Sequence, residues 1–287
     1  MSAMDGLFII DKPAGMTSHD VVQALRKKFD TKAGHLGTLD PMATGVLPVC
    51  VGKATRMGQF FSSSPKIYKG EIRFGFATDT YDREGTPTTE IRPVTASRNE
   101  IEEAVRSLTG SLDQTPPPFS AKKIGGISSH KLARRGQAIA IAPSRIEVHE
   151  FELTDWKPPV MTFRLVCSAG TYVRSLAHDL GRRLGCGGHL ESLRRTRSGE
   201  FGIERAVPFD RILESDLIPA DSLLDSWPRI EVSGSDETKV LHGNQIPSEV
   251  GAGLARIFNK KGEFIAVAAV ENGWVHPRLV LTSINSD

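Results

Sequence analysis

The sequence is poor in cysteine, and the few cysteines it has form no recognisable pattern. Its 287 residues include three cysteines, Cys50, Cys167 and Cys186, and no two of them have the C-x-x-C spacing. An odd number without paired spacing argues against a disulfide framework and against a zinc site. It is typical of a protein in a reducing compartment.

Long apolar runs are also missing. The apolar residues 7–10 are followed at once by Asp11 and Lys12, which makes this run too short for a signal peptide. The longest uncharged apolar run, residues 264–270, is far shorter than the roughly 20 residues of a membrane span. We therefore predict a cytoplasmic protein that does not enter the membrane.

The chain has no large excess of charge of one sign, because 36 Lys and Arg residues stand against 34 Asp and Glu residues. The positive charges are nevertheless unevenly distributed. Residues 121–136 hold five basic residues and no acid, and residues 174–197 hold six arginines and two acids. Each cluster alone is explained by the solvated face of a helix. Two clusters beside one loop would form a surface that follows nucleic-acid phosphates.

What the sequence does contain is a glycine-rich segment with a histidine and a carboxylate, residues 34–56, GHLGTLDPMATGVLPVCVGKATR. Asp40 precedes Pro41, and a residue before proline is biased towards extended or turn geometry. We therefore expect His35 and Asp40 on an irregular loop, where binding and catalytic residues are often found. The apolar residues 46–51 predict a buried strand that anchors this loop.

Two simpler interpretations of this segment were weighed. An aspartate before proline is most often a turn former or a helix cap. A phosphate-binding P-loop is excluded, because that pattern needs Gly at position 47 and Ser or Thr after Lys53, and the chain has Leu47 and Ala54.

The segment as a whole resembles the central motif of the TruB family of tRNA pseudouridine synthases, GH-x-G-x-LDP-x-ATG, without a gap over residues 34–45. The resemblance implies that Asp40 is the catalytic nucleophile. It also implies that His35 fills the space left by a base that has been flipped out. Arg56, at a position where the family also has lysine, is assigned to substrate binding on the same ground.

Other segments resemble further motifs of the same family. The K-x-Y motif falls on residues 66–68 and implies that Tyr68 contacts the target base. The GTY-x-R motif falls on residues 170–174 and implies that Arg174 pairs with the aspartate and that Tyr172 lines the base pocket. The segments DKPAGMTS, residues 11–18, and PPPFSAKKIGG also match family segments.

Two more positions are assigned by resemblance. The H-x-x-x-LRR segment falls on residues 189–195 and implies that Leu193 is an apolar wall of the pocket. Asp82 matches a family position near the active site. From the residues alone, Asp79 and Asp82 are more typical of a solvated turn, although paired carboxylates also occur in glycosidases.

The alternation of apolar residues predicts strands and the capping signals predict helices. Strands are expected at residues 6–10, 46–51, 66–77, 145–153 and 161–168, and helices at 17–29, 97–109, 128–135 and 170–184. The resemblance implies an α+β fold, a mixed and largely antiparallel sheet with flanking helices. It also implies a small PUA-like β-barrel at the C-terminal end. We divide the chain into a catalytic domain, residues 1–228, and an RNA-binding domain, residues 229–287.

The function implied by the resemblance is isomerisation of uridine to pseudouridine at position 55, in the TΨC loop of tRNA. Because the reaction adds and removes nothing, no cofactor or metal is expected. The expected partner is tRNA, bound through its T arm and elbow by a monomer. The route of the chemistry stays open between attack on the sugar, addition to the ring and a glycal. Two alternatives are a non-catalytic tRNA-binding module and a hydrolase that releases uracil.

Overall fold

The computed structural model describes residues 4–61, 65–120, 123–124, 127–128 and 142–282. The strands of the first part of the chain are β1 (Gly6–Lys12), β2 (Ala33–His35), β3 (Thr44–Val51), β4 (Lys66–Phe74), β5 (Gly110–Gln114), β6 (Lys123–Ile124) and β7 (Ile127–Ser128). Those that follow are β8 (Ser144–Lys157), β9 (Val160–Cys167), β10 (Gly188–Ser198), β11 (Phe201–Gly202), β12 (Val207–Pro208) and β13 (Ile218–Pro219). The helices are α1 (Ser18–Phe29), α2 (Arg98–Arg106) and α3 (Val173–Arg183).

One large sheet organises this part of the molecule. Its main strand order is β12-β1-β3-β10-β4-β9-β8-β5, and β2, β11 and β13 pair with strands along this path. Most neighbours are antiparallel, and β1 with β12 and β3 with β10 are the parallel pairs. The predicted largely antiparallel α+β fold is confirmed. The central strand β10 was not predicted as a strand, because its sequence is mostly polar and shows no clear alternation.

Helices α1 and α2 begin where side chains cap them. Thr17 and Asp20 form a capping box at the start of α1, and Ser97 and Glu100 form one at the start of α2. The structure ends α2 at Arg106 rather than at the predicted residue 109, because the chain tightens into a turn there. It also starts α3 at residue 173 rather than 170.

The last part of the chain forms a second sheet. Its strands are β14 (Arg229–Val232), β15 (Ile246–Pro247), β16 (Gly253–Asn259), β17 (Phe264–Glu271) and β18 (Trp274–Val280), with helix α4 (Gly234–Leu241) beside them. The order β14-β16-β17-β18-β15 has two free ends, which is a half-barrel form of the expected small barrel. Because β14 begins at residue 229, we propose the same division into two domains as before.

The two sheets share a hydrophobic core. Strand β3 is buried on both faces, and its Val46 and Cys50 pack with Met57 from the 3₁₀ helix Gly52–Phe60. The same cluster includes Val267 and Leu279 of the second sheet. The continuous apolar run of β3 is therefore explained by a layer on each side of it.

Some expectations concern residues that lie outside the described parts of the chain. The helix predicted at residues 128–135 belongs to this group except for Ser128, which the structure places in β7, and so does most of the basic cluster at 121–136. None of the helices in the described ranges is both long and apolar enough to span a bilayer.

Candidate active site

A cavity of about 1000 Å³ opens beside the loop between β2 and β3. Strands β4 and β10, the start of α3 and the start of α1 supply the rest of its wall. Six of the eight predicted site residues line it, namely His35, Asp40, Tyr68, Tyr172, Arg174 and Leu193. The fold therefore collects in one place residues that are far apart in the sequence.

The backbone on both sides of Asp40 is held by side chains from the end of β1 and the start of α1. The hydroxyl of Ser18 accepts a hydrogen bond from the N–H of Leu39 at 2.8 Å and donates one to its carbonyl at 3.0 Å. On the other side, the ammonium of Lys12 donates to the carbonyl of Pro41 at 3.2 Å. The aspartate is thus presented to the cavity by a rigid loop.

The guanidinium of Arg174 holds the carboxylate of Asp40 directly. Its Nη2 donates to Oδ1 of Asp40 at 2.9 Å and to the carbonyl of Phe119 at 3.1 Å, and its Nη1 donates to the carbonyl of Thr80 at 3.1 Å. Asp82 lies 3.4 Å from Nη1 on the other side. Because the Arg174 side chain is only 8% exposed, this set of contacts fixes its orientation.

The charge of Asp40 is set by opposing effects. Burial raises the pKa of its carboxyl, the charge of Arg174 lowers it, and the neighbouring Asp82 raises it again. A carboxylate with a raised pKa is more basic, and therefore a stronger nucleophile or base, as long as it stays ionised. Arg174 contributes most to the ionised form, and Lys12 acts in the same direction.

Tyr68 and Arg195 form the floor of the cavity. They are partners in the β4–β10 register, and both are buried. Arg195 donates from Nε to the carbonyl of Val46 at 2.7 Å and from Nη2 to that of Gly37 at 3.0 Å, which ties the catalytic loop to the sheet. Burial raises the pKa of Tyr68, and Arg195 opposes that rise. The phenol is therefore neutral at rest, with a cation beside it that would stabilise a phenolate.

Glycine is required where β3 approaches β10. Gly45 has a φ of +99°, and a Cβ at this position would lie 2.2 Å from the carbonyl oxygen of Arg195. No side chain fits between these backbones. The glycine of the ATG motif is thus explained by the contact that places Arg195 under the loop.

The walls that His35, Tyr172 and Leu193 supply are apolar or neutral. Burial lowers the pKa of His35, with Arg195 acting in the same direction, so its ring is neutral at pH 7. Tyr172 is held by Gln114, whose side chain accepts from the Tyr172 N–H at 2.8 Å and donates to its carbonyl at 3.0 Å. Leu193 comes from β10 and is buried. A planar uncharged ring fits among such side chains.

Two residues assigned to substrate binding do not line the cavity. Asp82 is buried beneath Arg174, where the hydroxyl of Thr80 donates a hydrogen bond to its carboxylate at 2.6 Å. Arg56 is exposed, and its Nη1 donates to the carbonyl of Val280 in the second sheet at 2.6 Å. Their roles towards the substrate remain predictions, to which their positions add no support.

The arginines of residues 174–197 do not form one basic surface, contrary to the expectation. Arg174 and Arg195 are buried in the site. Among the others, Arg194 pairs with Asp11 and Arg197 pairs with Glu204. Arg182 and Arg183 stay exposed at the end of α3.

Several polar residues of the site were missed at the sequence level. The motifs DKPAGMTS, K-x-Y and LRR were noted, yet only some of their residues were given roles. The structure adds Lys12, Ser18, Lys66, Gln114 and Arg195, which line the cavity or hold residues that do. In the described ranges, no three His, Cys, Asp or Glu side chains come together to hold a metal ion.

The fold and the site together define a class of protein. A mixed sheet presents a loop aspartate, paired with a buried arginine, at the edge of a nucleotide-sized cavity that a tyrosine lines. This arrangement is that of a pseudouridine synthase.

The chain belongs to the TruB family. A model of the TruB family pseudouridylate synthase N-terminal domain matches residues 24–173, and a model of the tRNA pseudouridylate synthase B C-terminal domain matches residues 174–227. The tRNA pseudouridine synthase B of Solibacter usitatus is 40% identical over 97% of this chain and all of that protein. The corresponding protein of Aquifex aeolicus is 38% identical over 97% of this chain and all of its own length.

The likeness extends to solved structures. A chain in the crystal structure of a Cbf5-Nop10-Gar1 complex superposes with a TM-score of 0.70 at 26% identity, covering 98% of this chain and 86% of that one. A chain of the archaeal box H/ACA sRNP Nop10-Cbf5 complex gives 0.69 at 25% identity, covering 99% of this chain and 88% of that one.

Proposed function

We propose that this protein converts uridine to pseudouridine at position 55, in the TΨC loop of tRNA, with Asp40 as the nucleophile. The relatives that match most of its length carry the name tRNA pseudouridine synthase B. The observation that carries the proposal is the 2.9 Å contact between Arg174 and Asp40 at the wall of the cavity. Neither folding of RNA nor binding of RNA requires such a pair.

The reaction breaks the bond between N1 of uracil and C1′ of ribose and forms a bond from C5 to C1′. The proton on C5 moves to solvent and N1 gains a proton, so that atoms balance without a cofactor. Attack on the sugar, addition to the ring and removal of a ribose proton each need an ionised carboxylate. Asp40, kept ionised by Arg174, meets that requirement on all three routes.

The base must leave the folded loop to reach Asp40, at a cost of a few kcal/mol. We assign Tyr68 to stacking on the uracil ring and, in the phenolate form that Arg195 would stabilise, to accepting a proton. Tyr172 and Leu193 confine the ring from the other sides. The neutral ring of His35 fills the space that the base leaves.

The test uses tRNA that carries tritium at C5 of uridine, because forming the new bond releases that atom. We expect release by the wild type without any cofactor, mapped to the T loop, and no release by Asp40→Asn at an affinity within about tenfold. Tight binding without release by the wild type would favour the non-catalytic binding module. Free uracil would reveal a hydrolase.

The setting of the reaction is also a proposal. We propose that the enzyme acts as a monomer in the cytoplasm and binds the T arm and elbow of tRNA. Light scattering during gel filtration, with and without tRNA, measures the number of subunits in the complex.

A further inference from the structure

Lys66 is a buried cation of the cavity that the proposed chemistry does not use. It is 5% exposed and lines the same cavity as Asp40. On β4 it lies two residues before Tyr68, so both side chains point to the same face of the strand. A lysine is seldom buried to this degree unless an anion is paired with it.

No partner for this charge exists in the described part of the protein. The ammonium of Lys66 has neither a hydrogen-bond acceptor nor a carboxylate there, and its charged neighbour is the like-charged Arg195. Asp40, the one acidic residue among the described residues that line the cavity, is already bound by Arg174. Residues 121–141 contain no Asp or Glu at all, so that segment brings no carboxylate either.

Three residues with free backbone donors also line this cavity. Lys66 pairs with Cys167 at the end of β9, and residues 169–171 follow after one intervening residue, Ser168. Within the described ranges, the N–H groups of Ala169, Gly170 and Thr171 donate no hydrogen bond. They precede α3, whose N-terminal end carries a partial positive charge. The ammonium of Lys66, the free N–H groups of residues 169–171 and the N-terminal end of α3 would each attract an anion.

We infer that Lys66 and the N–H groups of residues 169–171 bind one phosphate of the RNA chain, next to the uridine that enters the cavity. This inference rests on the proposed function, because it takes the ligand to be RNA. The two-residue spacing places Lys66 about 7 Å along the strand from Tyr68. When a base stacks on Tyr68, the phosphate of the same nucleotide or of the adjoining one lies within reach of Lys66.

The test measures the affinity of a T-arm hairpin RNA as a function of KCl concentration. All proteins carry Asp40→Asn, which prevents turnover. The plot of log Kobs against log salt has a negative slope, and losing one phosphate contact makes it less steep by about 0.7–0.9. We expect this change in slope for Lys66→Met and a slope close to that of the parent protein for Lys66→Arg. Lys69→Met is the matched control, because Lys69 lies on the same strand but is exposed on its other face.

Methylphosphonate substitution of single phosphates around the target uridine identifies the contact. One position should weaken binding of the parent and have no further effect in Lys66→Met. An unchanged slope in Lys66→Met, or additive losses at every position, would overturn the inference. Tritium release by the protein with intact Asp40 on the same hairpin tests the proposed function separately. Circular dichroism of Lys66→Met confirms that the variant is folded.

Discussion

The contacts of Arg174 allow the loss of stability on removing its side chain to be estimated. Arg174→Met removes the cation between two carboxylates, those of Asp40 and Asp82, whose side chains are 31% and 7% exposed. It also leaves the carbonyls of Thr80 and Phe119 without their donor. Removing one partner of a buried ion pair costs about 3–5 kcal/mol, and the lower part of this range applies because Asp40 faces the cavity.

The same substitution changes how stability and activity depend on pH. Without Arg174 the pKa of Asp40 rises further, since the arginine is what lowers it. A carboxyl whose folded pKa is raised favours the folded state at low pH, and this contribution is lost as pH increases through that pKa. The variant should therefore recover part of its stability as the pH falls from 7 towards the pKa of Asp40. Its turnover should fall by about 10²–10³-fold, and the acidic limb of its activity profile should move to higher pH.

Urea unfolding at pH 7 and pH 5 and tritium release over the same range measure these effects. The matched control is Arg182→Met on the same helix, whose side chain is 75% exposed. We expect it to change stability by no more than about 0.5 kcal/mol. Arg174→Lys keeps the positive charge but loses the planar guanidinium with its several donors. Its stability and activity should fall between those of Arg174→Met and those of the control. If the free energy of unfolding of Arg174→Met lay within about 1 kcal/mol of the wild-type value, the ion-pair reasoning would be refuted.

Two further predictions follow from burial and backbone geometry. Burial lowers the pKa of Lys66 from 10.5 to about 8, so the charged amine destabilises the folded state until the pH rises through that range. Lys66→Met should then be more stable than the wild type at pH 7, by on the order of 3 kcal/mol, with the difference gone near pH 10.5 in urea titrations. Gly45→Ala should lose about 2–5 kcal/mol, because its Cβ would collide with the Arg195 carbonyl at a positive φ.

For each of these two predictions, a specific outcome would contradict the reasoning. A Lys66→Met variant less stable than the wild type at pH 7 would mean that the ammonium has a partner. For the glycine, Gly251→Ala is the control, since a Cβ there meets no atom within 4 Å. Equal unfolding midpoints for the two alanine variants would contradict the packing argument.

The local pattern of the sequence was sufficient for most of the elements. The alternation in β4, β8 and β9 and the capping boxes at Thr17 and Ser97 are properties of short stretches, so the sequence alone reveals them. Strand β10 escaped this reasoning. It contains three arginines and a glutamate, and Arg195 in its middle is fully buried in the centre of the sheet. Only the acceptors supplied by other segments make that burial stable.

The residues of the site divide in the same way into those that sequence motifs reveal and those that they do not. Asp40, Tyr68, Arg174 and the other assigned residues were found through motifs that the resemblance supplied. Lys12 and Ser18 were seen in one of those motifs and given no role. Their roles depend on the carbonyl and amide groups beside Asp40, which lie more than twenty residues away. No local pattern contains that information.

By itself, the sequence determined the strands with clear alternation, the capped helices and the presentation of Asp40 on a loop before Pro41. Tertiary structure decided which charged residues are buried and what they bind. Arg174 meets Asp40 across 134 residues, and Arg195 meets Val46 across 149. A cation can leave water only where acceptors replace its hydration. Because those acceptors come from distant strands, the folded chain alone separates a catalytic arginine from one on the surface.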